Sequence, residues 1–199
     1  MTLDVALRDS SIRLALIEYL REYANLSQQT LMMEELGIRH GAARIDIVTL
    51  GDEIHGYEIK SDRDSLMRLA GQAGLYGDVL ERITIVVGEK HLRAIVGLVP
   101  SWWGIALCFR SRRGTIHIST VRRSKRNPSI DRVALAELLW RDEALDILKS
   151  VGAADGMYSS PRAELYSRLA TILELDELRS LIIDAITRRA DWRAVERLV

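Results

Sequence analysis

The sequence predicts an α/β protein with a mixed central sheet flanked by helices and a helical C-terminal region. Three observations support this fold class. Residues 42–60 read as two alternating strands joined by a tight turn. Helical and strand patterns then alternate along the chain, as they do in α/β sheets. After Asn127-Pro128 the apolar periodicity is helical only, so we predict an α/β core over residues 1–127 and a helical region over residues 128–199.

The elements follow in order from local patterns. A helix over 12–23 follows Ser10 or Ser11 as its N-cap, and a strand over 31–36 precedes the hairpin. A helix over 63–80 follows the hairpin, then a buried strand over 82–88 and a helix over 90–99 that ends before Pro100. Two further strands cover 102–109 and 115–121. In the C-terminal region helices are predicted over 130–151, where Arg141-Asp142 could mark a break, over 161–173 after the N-cap Ser160, and over 176–189.

The composition narrows the class of protein. With 48% hydrophobic and 28% charged residues, the 199-residue chain is typical of a globular domain rather than of disorder. Lys and Arg together number 28, as do Asp and Glu, so net charge alone predicts no polyanion partner. The single cysteine, Cys108, cannot form an intrachain disulfide, and no export signal is visible, so we expect a cytoplasmic protein. No apolar run approaches the roughly 18 residues that span a bilayer, so no membrane is expected.

The hairpin predicts a cluster of charged side chains. A three-residue turn over 51–53 pairs Asp46 with Glu58 and Arg44 with Lys60 on one face of the hairpin. A shift by one residue would set an isoleucine against Glu58. The Cβ atoms of Asp46 and Glu58 should then lie about 5 Å apart. The opposite face of the hairpin is apolar in this register, and it consists of Ile45, Ile47, Tyr57 and Ile59.

Two carboxylates at this distance repel each other unless one is protonated or a cation lies between them. Carboxylate oxygens are the ligands that Mg²⁺ prefers, and the ion keeps waters in its remaining positions. A lysine beside such an ion can orient a water or offset charge that builds up on a phosphate. The pattern therefore indicates phosphodiester hydrolysis.

At these residues the sequence resembles the PD-(D/E)XK, or restriction-endonuclease-like, nuclease superfamily. The match consists of Asp46, a turn, and Glu58-Ile59-Lys60 at the end of the next strand. The following helix contains Gln72 and Tyr76, which resemble the Gln-x-x-x-Tyr motif of RecB-type members. The resemblance covers about the first half of the chain.

The resemblance implies an Mg²⁺-dependent nuclease, with Mn²⁺ as a substitute ion and DNA as the expected substrate. Asp46 and Glu58 would bind the metal together with the Ile59 carbonyl, and Lys60 would activate or orient water. Gln72 and Tyr76 would arrange the site. One of the acidic residues in or before the first strand could serve as an auxiliary acid of the site. Glu34 and Glu35 should point to opposite faces of their strand, and Glu35 is preferred over Glu34 and Glu18.

Basic residues are concentrated between Arg110 and Arg126, where there is no Asp or Glu. Such a segment could follow a phosphate backbone, although a solvated surface explains it equally well. Arg44 of the hairpin and Arg68 of the following helix are further candidates. The candidate nucleic-acid contacts are therefore Arg44, Arg68, Arg112, Arg113, Arg122, Arg123 and Lys125.

Other functions remain open. The protein could be a non-catalytic nucleic-acid-binding protein, either a nuclease fold without activity or a helix-turn-helix protein that uses its C-terminal helices. Those helices could equally form a lid, a homodimer contact or a docking surface for a partner protein. The sequence does not separate DNA from RNA, or endonuclease from exonuclease.

Overall fold

The computed structural model describes residues 7–23, 30–189 and 196–197. The core contains the elements α1 (Asp9–Tyr23), β1 (Leu31–Ile38), β2 (Ala43–Leu50), β3 (Ile54–Lys60), α2 (Leu69–Val79), β4 (Arg82–Val87), α3 (Glu89–Leu98), β5 (Gly104–Arg110) and β6 (Ile116–Arg122). The C-terminal part contains α4 (Arg132–Ala136), α5 (Arg141–Ser150), α6 (Arg162–Ile172), α7 (Leu175–Arg188) and the two-residue strand β7 (Glu196–Arg197). A short 3₁₀ turn, Arg39–Gly41, joins β1 to β2.

The strands form one sheet in the order β6-β5-β4-β3-β2-β1-β7. Strands β3, β4 and β5 run parallel to one another, and the other neighbouring pairs are antiparallel. The parallel pairs require crossovers, which α2 and α3 supply. The predicted fold class, a mixed sheet flanked by helices with a helical C-terminal region, is confirmed.

Helices cover both faces of the sheet. On one face, α1 places Ile12, Leu16 and Leu20 four residues apart, so they form one buried stripe that packs against β3 residues such as Tyr57 and Ile59. The other face packs against α2 and the C-terminal helices in a larger core. Among the described residues, no helix is long and apolar enough to cross a membrane.

The hairpin register is confirmed from Leu50 opposite Ile54 to Ile47 opposite Tyr57. Beyond this point the expectation fails, because Ile45 packs in the core beneath α2 whereas Ile59 packs in the core beneath α1. The predicted apolar face containing both residues is therefore wrong.

An interruption in two neighbouring strands explains this change of face. Glu35 of β1 has a φ of 59°, so the regular alternation of side chains is broken there. In β2 the Asp46 carboxylate, rather than a backbone carbonyl, accepts the Ile59 N–H at 2.7 Å. Beyond the interruption, side chains of β1 and β2 consequently project to the face opposite to the one that regular alternation predicts, and β2 separates from β3 at Asp46.

The helix after the hairpin starts later than expected. Residues 61–68 form turns, and α2 begins at Leu69. The Asp64 carboxylate accepts hydrogen bonds from the Ser61 N–H and hydroxyl, each at 2.7 Å, which stabilises a turn instead of a first helical turn. This competition between side chain and backbone is typical of Asp and Ser.

The C-terminal helices share a core with the sheet. Leu135 and Ile182 are fully buried in the same cluster as Ile85 of β4. The Glu81 carboxylate, 1% exposed, contacts guanidinium groups of Arg126 and Arg179, at 3.3 Å and 2.8 Å, and accepts the Ile54 N–H. The division of the chain after residue 127 stays a prediction.

Candidate active site

Four of the predicted site residues meet on the α2 side of the sheet. Glu58 and Lys60 project together because they are two residues apart in β3, and Gln72 and Tyr76 lie one turn apart on α2. Lys60 Nζ donates to Glu58 Oε1 at 2.5 Å and to Gln72 Oε1 at 3.3 Å. Gln72 Nε2 donates to the Tyr76 hydroxyl at 3.1 Å. The geometry links the two motifs that the sequence analysis identified separately.

The Tyr76 hydroxyl connects α2 to two strands. Its oxygen lies 2.8 Å from Glu58 Oε2 and 2.7 Å from the carbonyl oxygen of Arg44 in β2. The side chain is fully buried, and its burial together with the Glu58 charge raises the pKa of Tyr76 above its usual value. Tyr76 therefore remains a neutral donor that holds the Glu58 carboxylate in place.

Asp46 lies where β2 and β3 separate, with both oxygens engaged. Oδ2 accepts the Ile59 N–H, and Oδ1 accepts from Arg13 Nη2 at 2.7 Å. Burial raises the pKa of Asp46, although these two donors oppose the shift. Burial also raises the pKa of Glu58, and Lys60 opposes this while the Asp46 charge adds to it. The Glu58 carboxylate is thus buried, and the charge of the half-buried Asp46 carboxylate disfavours its ionisation.

Arg13 of α1 is a site residue that the sequence analysis missed. Its guanidinium contacts the carboxylates of Asp9 at 3.5 Å, Glu34 at 3.3 Å and Glu35 at 3.1 Å, and it also donates to the Asp46 carbonyl oxygen at 2.9 Å. The only sequence signal was the i, i+4 spacing of Asp9 and Arg13, which predicts a helical ion pair but not a contact with the sheet.

The auxiliary acids differ from expectation. Glu34 and Glu35 both reach Arg13, so the prediction that only one of them faces the site is wrong. The positive φ of Glu35 is the reason, since it breaks the alternation that the prediction assumed. Glu18 is exposed beside Ile116 and His117 of β6, which lies at the far edge of the sheet from β2. The structure therefore brings Glu18 to a different surface.

The predicted nucleic-acid contacts divide between two ends of the sheet. The carboxyl ends of parallel strands lie at the same end of the sheet, so Arg110 at the end of β5 lies at the same end as Lys60 of β3. Arg112 and Arg113 follow in the β5–β6 turn and are exposed. The last residues of β6 lie at the opposite end of the strands, since β6 is antiparallel to β5. The basic segment is therefore divided between the two ends of these strands, with Arg122, Arg123 and Lys125 at the end opposite to Lys60.

Two of these basic residues have further contacts. Arg122 donates to the carbonyl oxygens of Trp103 at 2.7 Å and Pro100 at 3.0 Å, so it braces a loop. Arg44 is exposed and lies 3.5 Å from Glu35. Arg68 is exposed at the start of α2, one helical turn before Gln72. Of the predicted set, Arg44, Arg68, Arg112 and Arg113 remain near the candidate site.

The donor set suits a hard divalent ion. Within the described part of the chain, no group of three or more His, Cys, Asp or Glu side chains is arranged to hold a metal. Asp46 and Glu58 nevertheless offer four carboxylate oxygens, and each keeps a lone pair beyond its present hydrogen bond. Mg²⁺ commonly uses one or two carboxylates and retains waters. Asp46, Glu58 and the Ile59 carbonyl are therefore the oxygen donors that would hold such an ion.

Comparisons with known proteins identify the family. The family model described as "Bacteriophage P4 protein cII" matches residues 4–195. Protein cII of Enterobacteria phage P4 is 26% identical over 183 residues, which cover 92% of this chain and 68% of that protein. A protein of unknown function from Silicibacter pomeroyi has a solved structure that superimposes with a TM-score of 0.45 at 18% identity, covering 76% of this chain and 96% of that one. Since the family model matches nearly the whole chain, this protein belongs to the bacteriophage P4 protein cII family.

Proposed function

We propose that this protein is an Mg²⁺-dependent nuclease that hydrolyses DNA, with a site of the PD-(D/E)XK type. The observation that carries the proposal is the contact of Lys60 Nζ with both Glu58 Oε1 and Gln72 Oε1, while Tyr76 holds the other oxygen of Glu58. A charged hairpin produced by chance would not place the Gln-x-x-x-Tyr helix on the same carboxylate.

The roles of the residues follow from their positions. Asp46, Glu58 and the Ile59 carbonyl would hold the ion, which supplies Lewis-acid stabilisation of charge on the scissile phosphate when bound. Lys60 would orient the attacking water. Tyr76 and Gln72 fix the positions of Glu58 and Lys60, and such pre-organisation is a major source of rate enhancement.

Arg13 would orient the Asp46 carboxylate. It contacts one oxygen of Asp46 through Nη2 and the backbone carbonyl through Nη1, so the side chain is fixed relative to its own strand. This partial neutralisation opposes the rise that burial causes in the pKa of Asp46.

The β5–β6 turn is the proposed contact for the DNA backbone. Lys60 pairs with Val87, which pairs with Leu107, so β5 continues for three more residues to Arg110. At about 3.3 Å per residue the hairpin projects roughly 10 Å beyond Lys60. Arg112 and Arg113 at its tip, and Arg68 directly before α2, would contact phosphates near the site.

The catalytic proposal is tested by cleavage of plasmid DNA and of labelled single-stranded DNA in Mg²⁺, in Mn²⁺ and in a chelator. We expect metal-dependent cleavage by the wild type and its loss in Lys60→Ala and in Asp46→Asn. Lys125→Ala, at the opposite edge of the sheet, is the matched control and should retain activity. Cleavage that persists in both purified site variants would refute the assignment.

The DNA contact is tested separately in the Asp46→Asn background, by fluorescence anisotropy over a range of salt concentrations. Each lost phosphate contact lowers the slope of log affinity against log salt by about 0.9. The double variant Arg112→Gln/Arg113→Gln should therefore reduce the slope by nearly 2. Arg123→Gln/Lys125→Gln removes the same charge at the other end, and an equal effect from this control would contradict the placement.

A non-catalytic nucleic-acid-binding protein is the second candidate. The observation in its favour is that Arg13 already compensates the Asp46 charge without a metal ion. In that case DNA binding should be unchanged by Mg²⁺, and no cleavage should occur with either ion. Metal-dependent cleavage that Lys60→Ala abolishes would exclude this candidate.

A further inference from the structure

A cavity of about 240 Å³ lies on the other face of the sheet, between α1 and strands β3 to β6. Its walls are formed by apolar side chains, including Leu16, Leu20 and Val86. His55 and Thr84 lie on central strands of the sheet, yet both are partly accessible among the residues that the structure describes. The cavity is at the His55 end of β3, opposite to Lys60.

A polar network lies against the wall of this cavity. His55 Nε2 is 2.9 Å from the Thr84 hydroxyl, and His55 Nδ1 is 3.2 Å from the Tyr57 hydroxyl. The rings of His55 and Tyr57 stack with centroids 4.3 Å apart. Burial lowers the pKa of His55 to about 3, so the imidazole is neutral. A second polar pair, Tyr19 with Thr120 at 3.2 Å, lies on another side of the cavity.

The charged side chains that line the cavity have one sign. Among the described residues, its lining includes Arg122 and Arg123 and no acidic residue. The Arg122 guanidinium donates to two backbone carbonyls, which carry no net charge. For the part of the chain that the structure describes, neither arginine forms an ion pair with a carboxylate. A cavity with apolar walls and uncompensated positive charge at its rim favours a negatively charged guest.

We propose that this cavity binds a small organic anion with a flat apolar body, such as an aromatic carboxylate. The apolar body contacts the walls and the stacked rings, and the acid group lies toward Arg123 and the hydroxyl groups. Pockets for drug-sized ligands have volumes of about 300–1,000 Å³, so the smaller volume here restricts the guest to about one ring with its acid group. This site is independent of the proposed nuclease activity.

The test uses benzoate and its uncharged analogue benzamide, titrated into the full-length protein and monitored by ¹H–¹⁵N correlation spectra. Benzoate should perturb residues around the cavity with a Kd no weaker than about 10 mM, as expected for a molecule of this size. Benzamide should bind about tenfold more weakly. Arg123→Gln should remove most of this preference, whereas Arg113→Gln at the other end of the sheet should leave it unchanged.

A second variant fills the cavity instead of changing its charge. Ala106→Ile adds three carbon atoms at a strand position that lines the cavity, and it should abolish binding of both probes. If Ala106→Ile fails to fold, Arg123→Gln alone decides the question. Equal affinity for benzoate and benzamide, shifts confined to other surfaces, or no binding at about 10 mM would each overturn the proposal.

Discussion

Replacing Tyr76 with phenylalanine removes one oxygen from the candidate active site and leaves the ring in place. The hydroxyl lies 2.8 Å from Glu58 Oε2, and the Glu58 side chain is only 3% exposed. Water cannot readily replace the lost donor at such a position, so the carboxylate oxygen would be left unsatisfied.

The expected loss of stability follows from the charge on the acceptor. Hydrogen bonds to charged groups contribute about 1.5–3 kcal/mol, compared with about 1 kcal/mol for neutral pairs. We therefore expect Tyr76→Phe to lower the free energy of unfolding by about 2 kcal/mol at neutral pH. For a chain of this length that corresponds to a decrease in Tm of roughly 4–8 °C.

The effect should depend on pH in a defined direction. The pKa of Glu58 in the folded protein is raised above its ordinary value of 4.5, so the stability linked to this group is full at low pH and is lost as pH rises through the folded pKa. The Tyr76 hydrogen bond opposes this shift. Without the hydroxyl the folded pKa rises further, and the additional loss of stability is present at neutral pH and disappears below about pH 4.5.

The assay is urea denaturation of the wild type and variant at pH 7.5 and at the lowest pH where both fold. Tyr166→Phe is the matched control, because the hydroxyl of this buried tyrosine donates to the neutral carbonyl of Leu139 at 2.8 Å. That variant should lose about 1 kcal/mol at both pH values. If Tyr76→Phe costs no more than Tyr166→Phe, or if its cost does not change with pH, the account of the Glu58 environment is incorrect.

Three further predictions concern the metal, the hairpin and the C-terminal helices. Mg²⁺ should raise Tm at pH 7.5, and the increase should disappear as pH falls through the raised pKa values of Asp46 and Glu58; an equal increase in Asp46→Asn would contradict this. Gly56→Ala should destabilise the protein by about 1–3 kcal/mol, since the new Cβ would lie 2.6 Å from Leu80 Cδ1 and 3.1 Å from Ile45 Cγ1. In Gly71→Ala, within α2, the new Cβ meets no atom within 4 Å, so this variant should be more stable by about 1 kcal/mol. Urea denaturation measures both changes. Glu81→Ala should cost about 3 kcal/mol by the same assay, because it removes the buried carboxylate that Arg126 and Arg179 share and leaves the Ile54 N–H without its acceptor, while Arg179 keeps Asp176 at 2.9 Å. A loss below about 1 kcal/mol would show that this contact does not hold the helices.

Local patterns in the sequence predicted the order of most helices and strands and part of the site. Strand alternation places Glu58 and Lys60 on one side of β3, and helical spacing places Gln72 and Tyr76 on one side of α2. Because each pair belongs to a single regular element, no tertiary information was needed to predict which side chains project together.

The tertiary structure decided how those elements are joined. Alternation predicts faces only while the strand remains regular, and the positive φ of Glu35 and the Asp46–Ile59 hydrogen bond interrupt it in β1 and β2. The contact of Arg13 with Asp46 links a helix to a strand 33 residues later, and no periodic pattern encodes such a pairing. The separation of Arg112 from Arg123 follows from strand direction, since antiparallel strands carry the two ends of a short basic segment to opposite edges of the sheet.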